Sequence, residues 1–85
     1  MADVVLPDPA DTRFLAGAKM PVVSSNVAWL EYQEGTLTIG YQNGGEYYCE
    51  NVKPALALEI RKAKSVGKAL YALQQERGSF KRVQR

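Results

Sequence analysis

Residues 26–52 read NVAWLEYQEGTLTIGYQNGGEYYCENV, and the spacing of their turns decides the fold. Three β-like runs, 26–33, 36–42 and 46–52, are separated by Glu34-Gly35 and by Asn43-Gly44-Gly45. Asn and Gly tolerate the positive φ that tight hairpins demand, so both breaks read as hairpin turns. A two-residue loop at Glu34-Gly35 pairs Tyr32 with Leu37, Leu30 with Ile39 and Ala28 with Tyr41. A three-residue loop at Asn43-Gly44-Gly45 pairs Tyr41 with Tyr47 and Ile39 with Cys49. One sheet face then carries Ala28, Leu30, Tyr32, Leu37, Ile39, Tyr41, Tyr47 and Cys49, almost wholly apolar. A slip of one residue would scatter that face, so the two turns support each other. The opposite face is mixed, as on a half-exposed antiparallel sheet, and places Trp29, Gly40 and Tyr48 in one row.

After Val52 the apolar period changes from 2 to about 3.6. Pro54 is acceptable in a first helical turn, with Asn51 a candidate cap upstream. Leu56, Ile60 and Ala63 fall on one face of this helix and are expected to meet the sheet, with Ala57 or Leu58 at its edge. Ser65 is a cap for a second helix over about residues 68–77, which stops at Gly78 and packs through Ala69, Leu70 and Leu73. The expected fold is α+β: a three-stranded antiparallel β-meander with two C-terminal helices packed on one face, β-β-β-α-α.

Outward from this body, residues 1–20 read as a flexible N-terminal arm, because Pro7 and Pro9 interrupt a stretch without periodicity. Thr12 to Met20 can form one helical turn or lie extended on the body. Residues 21–78 are the domain and 79–85 a basic C-terminal tail. An 85-residue chain buries only about 60% of its unfolded surface, so its core is small.

The sequence has no histidine and one cysteine, Cys49. Zinc sites of His and Cys, Ser-His-Asp or Cys-His catalysis and an intrachain disulfide framework are thereby excluded. No nucleophile–base pair is visible, so an enzyme is not expected, nor a cofactor or metal. No run approaches the roughly 20 apolar residues of a membrane span. Met1-Ala2-Asp3 opens without the basic flank and apolar core of a signal peptide. A lone cysteine fits a reducing compartment, and a cytoplasmic protein is expected.

The net charge of +2 hides an asymmetry: residues 1–52 carry −5 and residues 53–85 carry +7. Such halves point to a polyanion partner for the basic half, to head-to-tail self-association, or to no more than a solvated helix face.

Several ordered pieces carry a family resemblance: Pro21-Val22-Val23-Ser24-Ser25-Asn26-Val27, Leu30, Tyr32, Leu37-Thr38-Ile39, Gly44-Gly45-Glu46-Tyr47, Asn51-Val52 and Ala63-Lys64-Ser65-Val66-Gly67. Together, over about residues 21–75, they resemble the KTSC domain, the small module named for the C-terminal end of some lysyl-tRNA synthetases. The chain departs from the family pattern at Cys49, where a second tyrosine of a Tyr-x-Tyr is usual, and at Ala69 and Leu70, where aromatics are usual. The resemblance implies the same small α+β fold and binding of nucleic acid, RNA above all.

From the residues themselves, Arg61, Lys64 and Lys68 can lie on one side of the helical pair, followed by Lys81, Arg82 and Arg85 in the tail. Cations that displace counterions from phosphates give salt-sensitive, sequence-independent affinity. Trp29 and Tyr48 are candidate platforms for base stacking, with Thr38, Gln42 and Asn43 beside them as hydrogen-bonding groups. Glu31, Glu46 and Glu50 share that face and oppose phosphates, so a dimer contact or a docking place for the N-terminal arm is the competing role for the aromatic pair. Ser24, Ser25 and Asn26, like Ser65 and Gly67, read first as a turn, a cap and close packing, and second as an anion site. The expected function is a non-catalytic RNA-binding module using its basic half and tail. The alternatives are a protein-interaction or dimerising module, such as a phage-type inhibitor of a host protein, and a sponge for a phosphorylated nucleotide signal.

Overall fold

The structure is a computed structural model, and it describes residues 8–84. The turns at the two expected breaks build its centre. Glu34 and Gly35 both take positive φ, 49° and 81°, the geometry of a two-residue hairpin turn between β2 (Val27–Gln33) and β3 (Thr36–Tyr41). Tyr32 faces Leu37 and Leu30 faces Ile39, as the turn dictates. The register breaks between Val27 and Trp29: Trp29 pairs with Gly40 and Val27 with Tyr41, leaving Ala28 as the extra residue of a β-bulge. Ala28 therefore does not pair with Tyr41, and Val27 turns inward and is fully buried.

The second hairpin loop also has three residues, but it sits one position earlier than expected. Gln42-Asn43-Gly44 lie between Tyr41 and Gly45, with Gly44 at φ 92° and its N–H donated to the Tyr41 carbonyl at 2.9 Å. The Asn43 Oδ1 accepts the Gly45 N–H at 2.9 Å, which fixes the turn. Against β4 (Glu46–Cys49), Ile39 consequently faces Tyr47 and Leu37 faces Cys49. This slide of two residues preserves every side chain's face, so the apolar inner face survives. Tyr41 and Tyr47 still touch edge to face, with centroids 5.6 Å apart. Tyr48, however, leaves the row of Trp29 and Gly40 for that of Glu31 and Thr38.

Among the described residues the sheet has five strands rather than three. β1 (Met20–Pro21) pairs with β2 and β5 (Lys81–Arg82) with β4, giving the antiparallel order β1-β2-β3-β4-β5. Residues 81–82 of the basic tail are thus paired backbone. The arm also departs from expectation, since residues 9–15 form helix α1 (Pro9–Leu15). Asp8 caps it by accepting the Ala10 N–H at 2.8 Å, and Pro9 takes the first helical position, where its missing N–H costs nothing. Phe14 is fully buried against Tyr32, centroids 6.1 Å apart. Asp11 receives Arg61 at 2.7 Å and Lys62 at 2.6 Å. Residues 1–7 of the expected arm and residue 85 lie outside the described residues.

Helix α2 (Pro54–Lys62) starts at its proline, with Lys53 at the cap position; Asn51, at φ 60°, is not the cap. Helix α3 (Val66–Arg77) is capped by Ser65, whose Oγ accepts the Lys68 N–H at 3.2 Å, and ends at Gly78 with φ 91°. Ala57 and Ile60 of α2 face the sheet, with Val66, Leu70 and Leu73 of α3. Leu56 is rotated to a half-buried position, because Ala57 is the residue that meets the core. The Tyr32 hydroxyl donates to the Val52 carbonyl, joining the sheet to the start of the helical layer. Among the described residues, no helix is long and apolar enough to cross a membrane.

Trp29 lies across Gly40, where an added Cβ would overlap the indole Cε2 and Nε1. We expect Gly40→Ala to destabilise the fold by roughly 1–3 kcal/mol through this overlap. In a denaturation cycle with Trp29→Ala, the double variant should lose less than the two single losses combined. Phe14→Ala should cost about 3–5 kcal/mol, as a filled core site does. A loss below 0.5 kcal/mol, about the ceiling for a surface change, would show that α1 does not contribute to the core.

Candidate functional site

The cations expected to act together are largely separated. Arg61 is held by Asp11 at 2.7 Å, with its guanidinium 5.8 Å from the Phe14 ring centroid, so its charge is already met inside the fold. Lys62 joins the same carboxylate. Arg77 donates to the carbonyls of Asn51 at 2.8 Å and Glu50 at 3.3 Å. Lys81 pairs with Glu50 at 3.3 Å while its backbone faces Tyr48. Arg82 lies beside Glu46 and Gly45 at the far end of the sheet, and Arg85 lies outside the described residues. Among the described residues of the basic half, Lys53, Lys64, Lys68 and Arg82 make no ion pair or side-chain hydrogen bond.

The aromatic platform is also altered. Trp29 has one ring face against Gly40, and the Lys19 ammonium stands 4.1 Å from its ring centroid. A cation over the indole competes with any base that would stack there. The polar groups beside it are turned inward to the loops. Gln42 donates to the Val27 carbonyl at 3.2 Å and the Ser24 carbonyl at 3.4 Å, and Asn43 serves its own turn. The half-buried Tyr48 lies between Thr38 and Lys81, a row away from Trp29. Near the other end of β4, burial first and the Tyr47 phenol second push the pKa of the Tyr41 hydroxyl, on β3, up from its ordinary value.

What the structure does bring together is Lys64, Lys68 and the two small-polar segments. Ser24-Ser25-Asn26, at the start of β2, and Lys64-Ser65-Val66-Gly67-Lys68, at the start of α3, face each other across an open cleft of about 470 Å³. Ser24 Oγ accepts the N–H groups of Asn26 and Val27, each at 3.2 Å, which holds its loop in a turn. Ser65 takes the Lys68 N–H, leaving the amides of Val66 and Gly67 outside the helical ladder. Beyond its chain neighbours and its own helix backbone, no atom lies within 4 Å of the place a Gly67 Cβ would occupy, so this glycine serves no close packing.

The apolar rim of the cleft escaped sequence reading. Val23 and Tyr71 are the large apolar side chains left exposed among the described residues, at 100% and 64%, and both line this cleft. Tyr71 reads as the shoulder of an amphipathic helix, and only the folded chain shows that it stands beside Lys68 and the Ser24 loop. A flat ring, two unpaired ammonium groups and free helix-terminal amides can together engage an anion attached to an aromatic group. Among the described residues no cluster of three or more His, Cys, Asp or Glu side chains could hold a metal ion. No protein-family model matches the chain, and no curated protein matches it either.

Proposed function

We propose that the chain is a non-catalytic module binding single-stranded RNA, with a phosphate at Lys64, Lys68 and the N-terminus of α3 and a base on Tyr71. The observation that carries this reading is the convergence in one cleft of Val23 and Tyr71 with two unpaired lysines. Stacking on an exposed aromatic contributes roughly 1–3 kcal/mol per base, and each lysine releases counterions from the strand. The resemblance to KTSC modules supports the same reading, because two of its pieces, Ser24-Ser25-Asn26 and Lys64-Ser65-Val66-Gly67, form the facing walls. The lone Cys49 supports action in a reducing cytoplasm.

A second occupant of the same chemistry is a free phosphorylated nucleotide, as in a sponge. The cleft, of about 470 Å³, is large enough to receive one.

Fluorescence anisotropy of a labelled oligouridine tests the proposal. Two lysine–phosphate contacts predict a slope of log K against log salt of about −1.4, or a sevenfold loss between roughly 50 and 200 mM salt. A slope near −4, about six contacts, would show that cations beyond the cleft engage the strand as well. We expect Lys64→Gln with Lys68→Gln to flatten the slope, and Tyr71→Ala to weaken binding roughly fivefold or more. Binding indifferent to all three changes would remove the cleft from the reading. Mononucleotide competition at the full affinity of the oligomer would identify a free nucleotide as the ligand.

A further inference from the structure

Residues 53–85 contain only two acids, Glu59 and Glu76, among nine basic residues. Both stand on the rim of one apolar groove between α2 and α3, of about 230 Å³. Ile60 and Leu73, 3% and 4% exposed, form its floor, and the half-buried Leu56 one of its walls. On the α3 side the small side chains of Ala69 and Ala72 keep the groove from being filled from within. Neither glutamate has an ion-pair or hydrogen-bond partner among the described residues.

We infer that this groove docks a basic amphipathic helix of another protein, inserting an aliphatic side chain between α2 and α3 with Lys or Arg set against Glu59 and Glu76. The charge pattern selects this occupant. Carboxylates are the exception in this half of the chain, and both rim the groove's apolar floor. An apolar side chain flanked by cations matches them, in the manner of helix-in-groove recognition. A symmetric contact with a second copy would set the Glu59 and Glu76 of each protomer against those of its partner, and like charges disfavour it. An anionic lipid surface is repelled by the same carboxylates. The groove is lined by residues other than Ser24–Asn26, Lys64, Lys68 and Tyr71, so the inference stands independently of RNA binding.

The test titrates the full chain, observed through its backbone amide resonances, with two synthetic helical peptides. Both carry the same leucine stripe; one flanks it with lysines and the other with glutamates. The inference expects the lysine peptide to shift resonances of Ala69, Ala72 and Glu76 and to bind roughly fivefold or more tightly than the glutamate peptide. The variant combining Glu59→Gln and Glu76→Gln, both near the groove's rim, should bind the two peptides alike. Ala72→Arg, at an exposed helix position, should abolish binding while the amide spectrum stays folded. Equal binding of both peptides to the unaltered chain, binding of neither, or shifts confined to the Ser24 loop would overturn the inference. A dimer mass that Ala72→Arg returns to monomer would overturn it in favour of a second copy.

Discussion

Tyr32 joins three parts of the chain that share no local sequence. Its ring packs on Phe14 of α1, and its hydroxyl donates to the carbonyl of Val52, where the sheet hands over to the helices. Val52 in turn donates its N–H to the Gly35 carbonyl at 2.8 Å, inside the first hairpin turn. A buried hydroxyl that lost this acceptor would leave two polar groups without water, so the arrangement is strongly preferred over near alternatives. It sets where α2 begins, and through the short α2–α3 connection it sets where the N-terminus of α3 meets the Ser24 loop. The candidate cleft therefore depends on packing well outside itself.

The charge of the basic half divides between structure and surface. Arg61 and Lys62 secure α1 through Asp11, and Arg77 ties the end of α3 to the carbonyls after β4. Cations used in this way hold α2 to α1 and the end of α3 to the chain after β4, and are less available to a ligand. The charge that remains near α3's first turn is small and local. Under the proposed reading, this favours a short ligand segment recognised by shape and stacking over a long polyanion gripped by charge alone.

The sheet's central logic was legible because two turns and a period-2 pattern agreed. Ser65, Pro54 and Gly78 marked helix ends for equally local reasons. The second loop slid because Gly44 and Gly45 offer two adjacent positions for positive φ, and sequence cannot choose between them. The Ala28 bulge left no mark, since Val27 and Ala28 are both suited to a core. Helix α1 was readable in part: Asp8-Pro9 is a cap followed by a first-turn proline, but Pro7 beside it favoured an irregular arm. β5 has two residues and no period to detect. The cleft was half legible, as two small-polar segments, while its apolar rim depended on Val23 and Tyr71, far apart in the chain, meeting in space.

Among the described residues, the sheet ends on both sides in strands of two residues, β1 with Pro21 and β5 with Lys81 and Arg82. Proline offers no amide hydrogen to an incoming strand, and adjacent cations repel a copy of themselves. Each margin is thus too short and too poorly matched to template another chain. A small protein with a sheet at its centre is in this way shielded from growing edge to edge into fibres when crowded.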